Sequence, residues 1–215
     1  MIDLHTHTLL SDGALLPSEL IQRAYSFGYR AIAITDHVDI SNMDFVIPRI
    51  AIAAKEIAAQ LDIKVLAGAE ITHVPPALIG KMVEKARGLG AQIVIVHGET
   101  IVEPVIAGTN AAGIEAGADI ISHPGLISID DARKAKEKGV ALEITSRKGH
   151  SLSNGHVARI ALRAGAKLVI NTDSHTPDDL ITKGFAWRVL RSAGIDEEDI
   201  EKVFNNSEEL IKKYS

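Results

Sequence analysis

Two patterns of apolar and polar positions alternate along the chain. Short β-branched runs, apolar almost without interruption, occupy 31–35, 92–96, 119–122, 141–145 and 168–172, each two or three residues after a glycine: Gly28, Gly90, Gly117, Gly139 and Gly165. Glycine just past a helix end supplies a left-handed C-cap, and near-continuous apolar runs suit strands buried on both faces. Adding 2–4 and 64–67 gives seven predicted strands. Helical stretches follow at 17–27, 47–60, 76–89, 104–116, 130–138, 153–164 and 178–193, and a last one at 196–213. Pro17 and Pro76 suit a first helical turn, where the missing N–H costs nothing. Asp196 at the start and lysines at the end of the last stretch complement the helix dipole. Trp187 lies in the seventh stretch and reads as packing. Such alternation implies an α/β fold of parallel βαβ units with right-handed crossovers. No linker interrupts the series, so one domain over 1–215 is expected, while periodicity leaves open sheet and closed barrel both available.

The polar residues that interrupt this pattern collect at one end of it. His5 and His7 follow the first strand, His37 the second, His97 the fourth, His123 the fifth and His175 the seventh, with Asp12 after the first, Glu70 after the third and Asp173 with the seventh. In parallel α/β folds, ligands bind at the carboxyl ends of the strands, where loops project from a rigid scaffold. His5-Thr-His7 and Asp173-Ser-His175 each aim two side chains to one side, because residues i and i+2 of an extended segment face the same way. One such pair is ordinary. Two pairs, together with single His or Glu residues at the other strand ends, point to metal binding.

Composition narrows the metal. The chain has nine histidines and no cysteine, which excludes disulfides, thiolate zinc sites, iron–sulfur clusters and a cysteine nucleophile. Imidazole and carboxylate donors suit Zn, Mn or Fe(II), and nine of them imply two or three ions. Lys and Arg number 23 against 28 Asp and Glu, a formal net charge of −5, so no basic stripe marks a polynucleotide surface. Three divalent ions reverse that sign locally and favour a phosphate ester as the partner. The amino terminus carries no basic region and no apolar run reaches about 18 residues, so a cytoplasmic protein without a membrane span is expected.

The motifs Asp3-Leu-His-Thr-His-Thr8, Ser11-Asp-Gly13, Ile34-Thr-Asp-His37, Gly68-Ala-Glu70, Val96-His97, Ser122-His-Pro-Gly125 and Asn171-Thr-Asp-Ser-His175 stand in the order of a known family. The chain resembles the PHP (polymerase and histidinol phosphatase) superfamily, in its small stand-alone phosphoesterase branch. The resemblance implies a distorted, TIM-like barrel of seven βα units with the metal site at the C-terminal ends of the strands. It also implies a trinuclear site: one ion at His5, His7, Glu70 and Asp173, a second at Glu70, His97 and His123, and a third at Asp12, His37 and His175. Asp12 stands where some relatives have His. The activity implied is hydrolysis of a small, histidinol-phosphate-like monoester by metal-bound hydroxide, with no Ser or Cys nucleophile.

The loop after the sixth strand supplies no ligand to that set, and its residues are candidates for handling substrate. Arg147 and Lys148, next to a glycine, suit the phosphate, and Arg147 is also a candidate catalytic group. His150 suits proton donation to the leaving oxygen. His73 is a candidate for orienting a ligand, Glu99 and Glu103 for shaping specificity, and His156 for a structural role. Three rivals remain: a phosphodiesterase or nuclease acting on nucleotides or short oligonucleotides, an amidohydrolase, and a catalytically silent metal-binding module. Against the amidohydrolase, no lysine ends a middle strand.

Overall fold

Parallel strands pair edge to edge into a barrel that is nearly closed, in a computed structural model that describes residues 1–214. The strands are β1 (Ile2–Asp3), β2 (Ala31–Ile34), β3 (His37–Val38), β4 (Lys64–Ile71), β5 (Ile93–His97), β6 (Ile120–Ser122), β7 (Ala141–Thr145) and β8 (Leu168–Asn171). The helices are α1 (Pro17–Ser26), α2 (Met43–Ala58), α3 (Pro76–Gly88), α4 (Thr109–Glu115), α5 (Ile129–Lys138), α6 (Asn154–Ala164), α7 (Lys183–Ser192) and α8 (Glu197–Lys212). The order β1-β2-β4-β5-β6-β7-β8 follows the chain, as right-handed βαβ units require, and the expected seven-unit TIM-like barrel is the fold observed. The seam between β1 and β8 has no regular ladder. Thr6 bridges Ser174, the Asp173 N–H donates to His5 O at 2.9 Å, and Thr172 Oγ1 donates to Asp3 Oδ2 at 2.6 Å.

β3 is an eighth, two-residue strand that the sequence pattern does not show. β4 runs through Ile71, four residues beyond its predicted end, because β2 pairs with its first half and β3 with its second. Three helices begin elsewhere than predicted. α2 starts at Met43 and tolerates Pro48 inside it, since the Asn42 side chain bonds His37 O and the Asp39 N–H and turns the chain early. α4 starts at Thr109, because Glu99 Oε1 accepts the Gly108 and Asn110 N–H groups and holds the residues before it in a loop. α7 starts at Lys183 behind a Thr182 cap, after a short 3-10 turn over Pro177–Asp179. Trp187 is 37% exposed on α7, so it is covered only in part.

The barrel interior explains where the polar site sits. Inward residues alternate along each strand. Ile2, Leu4, Ala31, Ala33, Leu66, Ile93, Ile95, Ile120, Ala141 and Val169 form an apolar plug closed from below by Ile211 of α8. Each large aliphatic side chain in it is worth about 1.5–3 kcal/mol over exposure. The same inward register continued upward gives Glu70 after Leu66 and Gly68, His97 after Ile93 and Ile95, Glu143 after Ala141, and Asp173 after Val169 and Asn171. A second, larger cluster packs the outer strand faces against the helices. No helix of the described residues is long and apolar enough to cross a membrane.

Candidate metal centre

All nine residues named as ligands from the sequence meet at the carboxyl ends of the strands. Their donor atoms form overlapping groups: His7, Asp12, His37 and His175; His5, His123 and Asp173; His5, His7 and Glu70; Glu70, His97 and His123. The separations suit a shared ion. His5 Nε2 lies 3.3 Å from Glu70 Oε1, His7 Nε2 3.2 Å from Asp173 Oδ1, His123 Nε2 3.6 Å from Asp173 Oδ2 and His175 Nε2 3.3 Å from Asp12 Oδ1. Donors about 2.0–2.2 Å from a tetrahedral ion stand about 3.3–3.6 Å apart.

Hydrogen bonding gives a second test of fit. His5 Nε2, both ring nitrogens of His7, Glu70 Oε2, and the Nδ1 atoms of His97 and His123 are buried and have no hydrogen-bond partner. Unpaired buried polar atoms cost about 1–3 kcal/mol each, so a cluster of them in one place calls for a ligand. His123 and Asp173 also adopt positive φ, at 25° and 54°, a backbone strain that concentrates at functional sites.

A layer of polar residues behind the nine sets their orientation. Glu143, fully buried, lies 2.9 Å from His5 Nδ1 and accepts the His123 N–H at 3.0 Å and Asn171 Nδ2 at 2.8 Å. That arrangement puts the His5 proton on Nδ1 and leaves Nε2 free to ligate. Asp36 accepts Thr8 N, Thr8 Oγ1 and Ser11 Oγ at 2.6–2.7 Å, pinning the loop that carries His7 and Asp12. A Cβ on Gly13 would strike the His7 carbonyl, so only glycine lets this loop fold back on itself. Ser122 Oγ donates to Glu70 Oε1 at 2.6 Å, and Thr72 Oγ1 lies 2.7 Å from His37 Nδ1. Glu143 belongs to none of the sequence motifs. Its signal is a lone acid at an inward position of the otherwise uncharged run 141–145.

Burial and neighbouring charge set the protonation of the metal-free cluster. Burial pushes Asp173 up to about 7, against the pull of His5. Burial also lowers His5, but Glu70, Glu143 and Asp173 outweigh it and leave His5 well above the usual histidine range. Glu70 is raised by burial yet held well below the usual carboxylate range by His5 and His37. His7 and His123 are pushed down, first by burial and then by the other imidazoles.

The nine line or underlie a cavity of about 560 Å³ that also includes Arg147, His150, His73 and Glu103. Arg147 Nη1 is 3.3 Å from Asp179 Oδ2. Lys148 is exposed and lies outside this cavity, lining a neighbouring hollow of about 410 Å³ with Arg147, Phe27, Phe185 and Arg188. His150 is buried and stacks on His123 with ring centroids 4.1 Å apart. Its Nδ1 is 2.7 Å from Thr100 Oγ1 and its Nε2 3.5 Å from Glu103 Oε1. With Thr100 donating to Nδ1, the ring proton would sit on Nε2, on the side of Glu103. Glu103 Oε2 is 3.1 Å from His97 Nε2 and 3.4 Å from His73 Nε2. The His97 contact, with smaller effects of His150 and His73, holds Glu103 down at about 2. His156 Nε2 bonds Ile127 O at 2.9 Å, tying α6 to the loop before α5.

The PHP domain model matches residues 3–140. The chain belongs to the PHP domain family. An uncharacterized protein of Methanocaldococcus jannaschii is 48% identical over 214 residues, 98% of each chain. A relative named "Probable phosphatase", from Thermoanaerobacter pseudethanolicus, is 28% identical over 242 residues, covering 100% of this chain and 94% of its own. Among solved structures, a chain of archaeal ribonuclease P with mature tRNA superposes with a TM-score of 0.74 at 19% identity, covering 98% of this chain and 89% of that one. A histidinol phosphate phosphatase from Lactococcus lactis, complexed with zinc, L-histidinol and phosphate, superposes at 0.61 and 17% identity, covering 91% and 94%. These two likenesses show the fold alone; the nine donors belong to this chain's own sequence.

Proposed function

We propose that the chain is a metal-dependent phosphatase that hydrolyses a small phosphomonoester at a site holding two or three divalent ions, Zn, Mn or Fe. The observation that carries this reading is the set of buried, unpartnered imidazole and carboxylate atoms gathered at and beneath one cavity that Arg147 also lines. His5, His7, Glu70 and Asp173 would hold one ion, Glu70, His97 and His123 a second, and Asp12, His37 and His175 a third. Bound there, such ions neutralise the phosphoryl oxygens and ease removal of a proton from water.

The remaining steps belong to the protein's own groups. Arg147, which lines the cavity and lies 3.3 Å from Asp179, binds the phosphate through its guanidinium fork. Lys148, outside the cavity, contributes attraction at longer range. His150 carries a proton on Nε2 and gives it to the leaving oxygen, while Thr100 fixes the ring. Glu143 keeps His5 in the ligating tautomer.

The test uses protein stripped by chelation and then supplied with Mn or Zn, with p-nitrophenyl phosphate and L-histidinol phosphate as substrates. Metal-dependent phosphate release from a monoester is expected. No release from any monoester by metal-loaded protein overturns the reading, and turnover of diesters alone replaces it with a phosphodiesterase.

A further inference from the structure

Glu103 and His73 line the cavity but belong to none of the three ion positions drawn from the sequence. The loop that carries Glu103 is pinched at its base, where Glu99 Oε1 accepts the Gly108 and Asn110 N–H groups. His73, between β4 and α3, has a φ of 53°, a left-handed backbone that few residues other than glycine adopt. The two meet at His97. Glu103 Oε2 stands 3.4 Å from His73 Nε2 and 3.1 Å from His97 Nε2, while Oε1 faces His150 Nε2 at 3.5 Å.

The donors of His73, His97 and Glu103 lie within 4.8 Å of one another, and so do those of Glu70, His97 and His123. Their closest separations approach the ~3.3–3.6 Å between donors that share a tetrahedral ion. His97 thus belongs to two groups, one open and one closed. The side chains of His73 and Glu103 are 45% and 37% exposed and that of His97 is 3% exposed, while Glu70 and His123 are buried. A neutral imidazole has one lone pair to offer a metal, so His97 serves one position at a time. Carrying a divalent ion into the closed group is costly unless protein donors replace its water on the way. The carboxylates lining the cavity are Asp12, Glu103 and Asp173, and Glu103 is the one in contact with His97.

We infer that His73, His97 and Glu103 form an outer ion position, from which an ion passes to its buried place at Glu70, His97 and His123 and to which it returns on release. The inference rests on the metal-centre reading and adds to it the route by which one ion is loaded. Glu103 and His73 take the ion from water, and His97 keeps hold of it while Glu70 and His123 replace them. The outer position is empty once the centre is full, because His97 is then engaged within. Losing such a waypoint slows entry and exit by the same factor and leaves the loaded state as it was.

The experiment follows zinc uptake by stripped protein and zinc removal from loaded protein by excess chelator, with ions counted by mass spectrometry at timed intervals. Glu103→Gln keeps the shape and removes the anionic donor at a partly exposed position, so the fold is not at stake. Loss of one carboxylate that supports a metal site costs about 10–100-fold in affinity, and flux through a waypoint scales with its occupancy. Uptake and removal of one ion per chain should therefore each slow by about 10–100-fold, with the final zinc content at the wild-type level. Glu103→His, which returns a nitrogen donor, should recover both rates. A merely structural role for Glu103 gives a different pattern, in which a loosened centre holds less zinc and loses it faster. That pattern, wild-type rates in Glu103→Gln, or rates still slow in Glu103→His overturns the inference and leaves the metal-centre reading standing. Stripped wild-type protein that takes up no zinc overturns both.

Discussion

Replacing Glu143 by Gln removes a carboxylate that touches no substrate yet lies 2.9 Å from His5 Nδ1 and 3.0 Å from the His123 N–H it accepts. Gln keeps the shape but must turn its NH2 toward one of three donors: His5 Nδ1, the His123 N–H or Asn171 Nδ2. His5 then loses its anionic partner and part of its basicity as a ligand. Loss of such a partner typically costs about 10–100-fold in metal affinity, or about 1.4–2.7 kcal/mol. Glu143→Ala differs in kind. It strands up to three buried donors at about 1–3 kcal/mol each, a large share of a typical stability of about 5–15 kcal/mol, so the metal-free protein itself should melt lower. The assay is competition with a chromophoric chelator for Zn, alongside thermal melting of the stripped protein. Wild-type zinc affinity in Glu143→Gln would refute the claim that Glu143 orients His5 for ligation.

Further outcomes follow from the same geometry. At pH 7 the stripped site carries a proton on His5, whose carboxylate neighbours overcome the lowering by burial, and a partial one on Asp173, raised by burial to about 7. Ions must displace these protons, so affinity rises with pH and binding releases protons; equal calorimetric heats in two buffers of different ionisation enthalpy would contradict this. Arg147→Ala should lower kcat/KM for the best monoester by about 10–150-fold, the worth of about 1.5–3 kcal/mol for a charged hydrogen bond, mainly through KM. Unchanged kinetic constants would remove Arg147 from phosphate binding. His150→Gln should lower kcat by about 10²–10⁴ while metal content measured by mass spectrometry stays at the wild-type level; a full kcat rules out its role as proton donor.

The parallel order of the barrel and the gathering of all nine donors were both legible in the chain, for one reason. Buried strands are apolar, so polar residues at their ends stand out, as His97 does after the run 92–96. Four features were less legible. Glu143 lies inside a strand, where its acidity reads as an interruption of the pattern, and only the interior register reveals that it faces His5. Glu103 directly precedes the helix predicted from 104, whereas Glu99 delays that helix to Thr109 and leaves a loop that brings Glu103 onto His97. Trp187 follows helical spacing on α7, but spacing alone does not say which face meets solvent. Lys148 adjoins Arg147 in sequence, yet the turn after β7 directs it to the neighbouring hollow.

The central claim is that the nine-residue cluster works as a hydrolytic metal centre. Titrating chelated protein with Mn or Zn while following phosphate release from a monoester tests it most directly. Release should be absent without metal and rise to a plateau at two to three equivalents per chain. Equal release from the metal-free protein, or none at saturation, would contradict it.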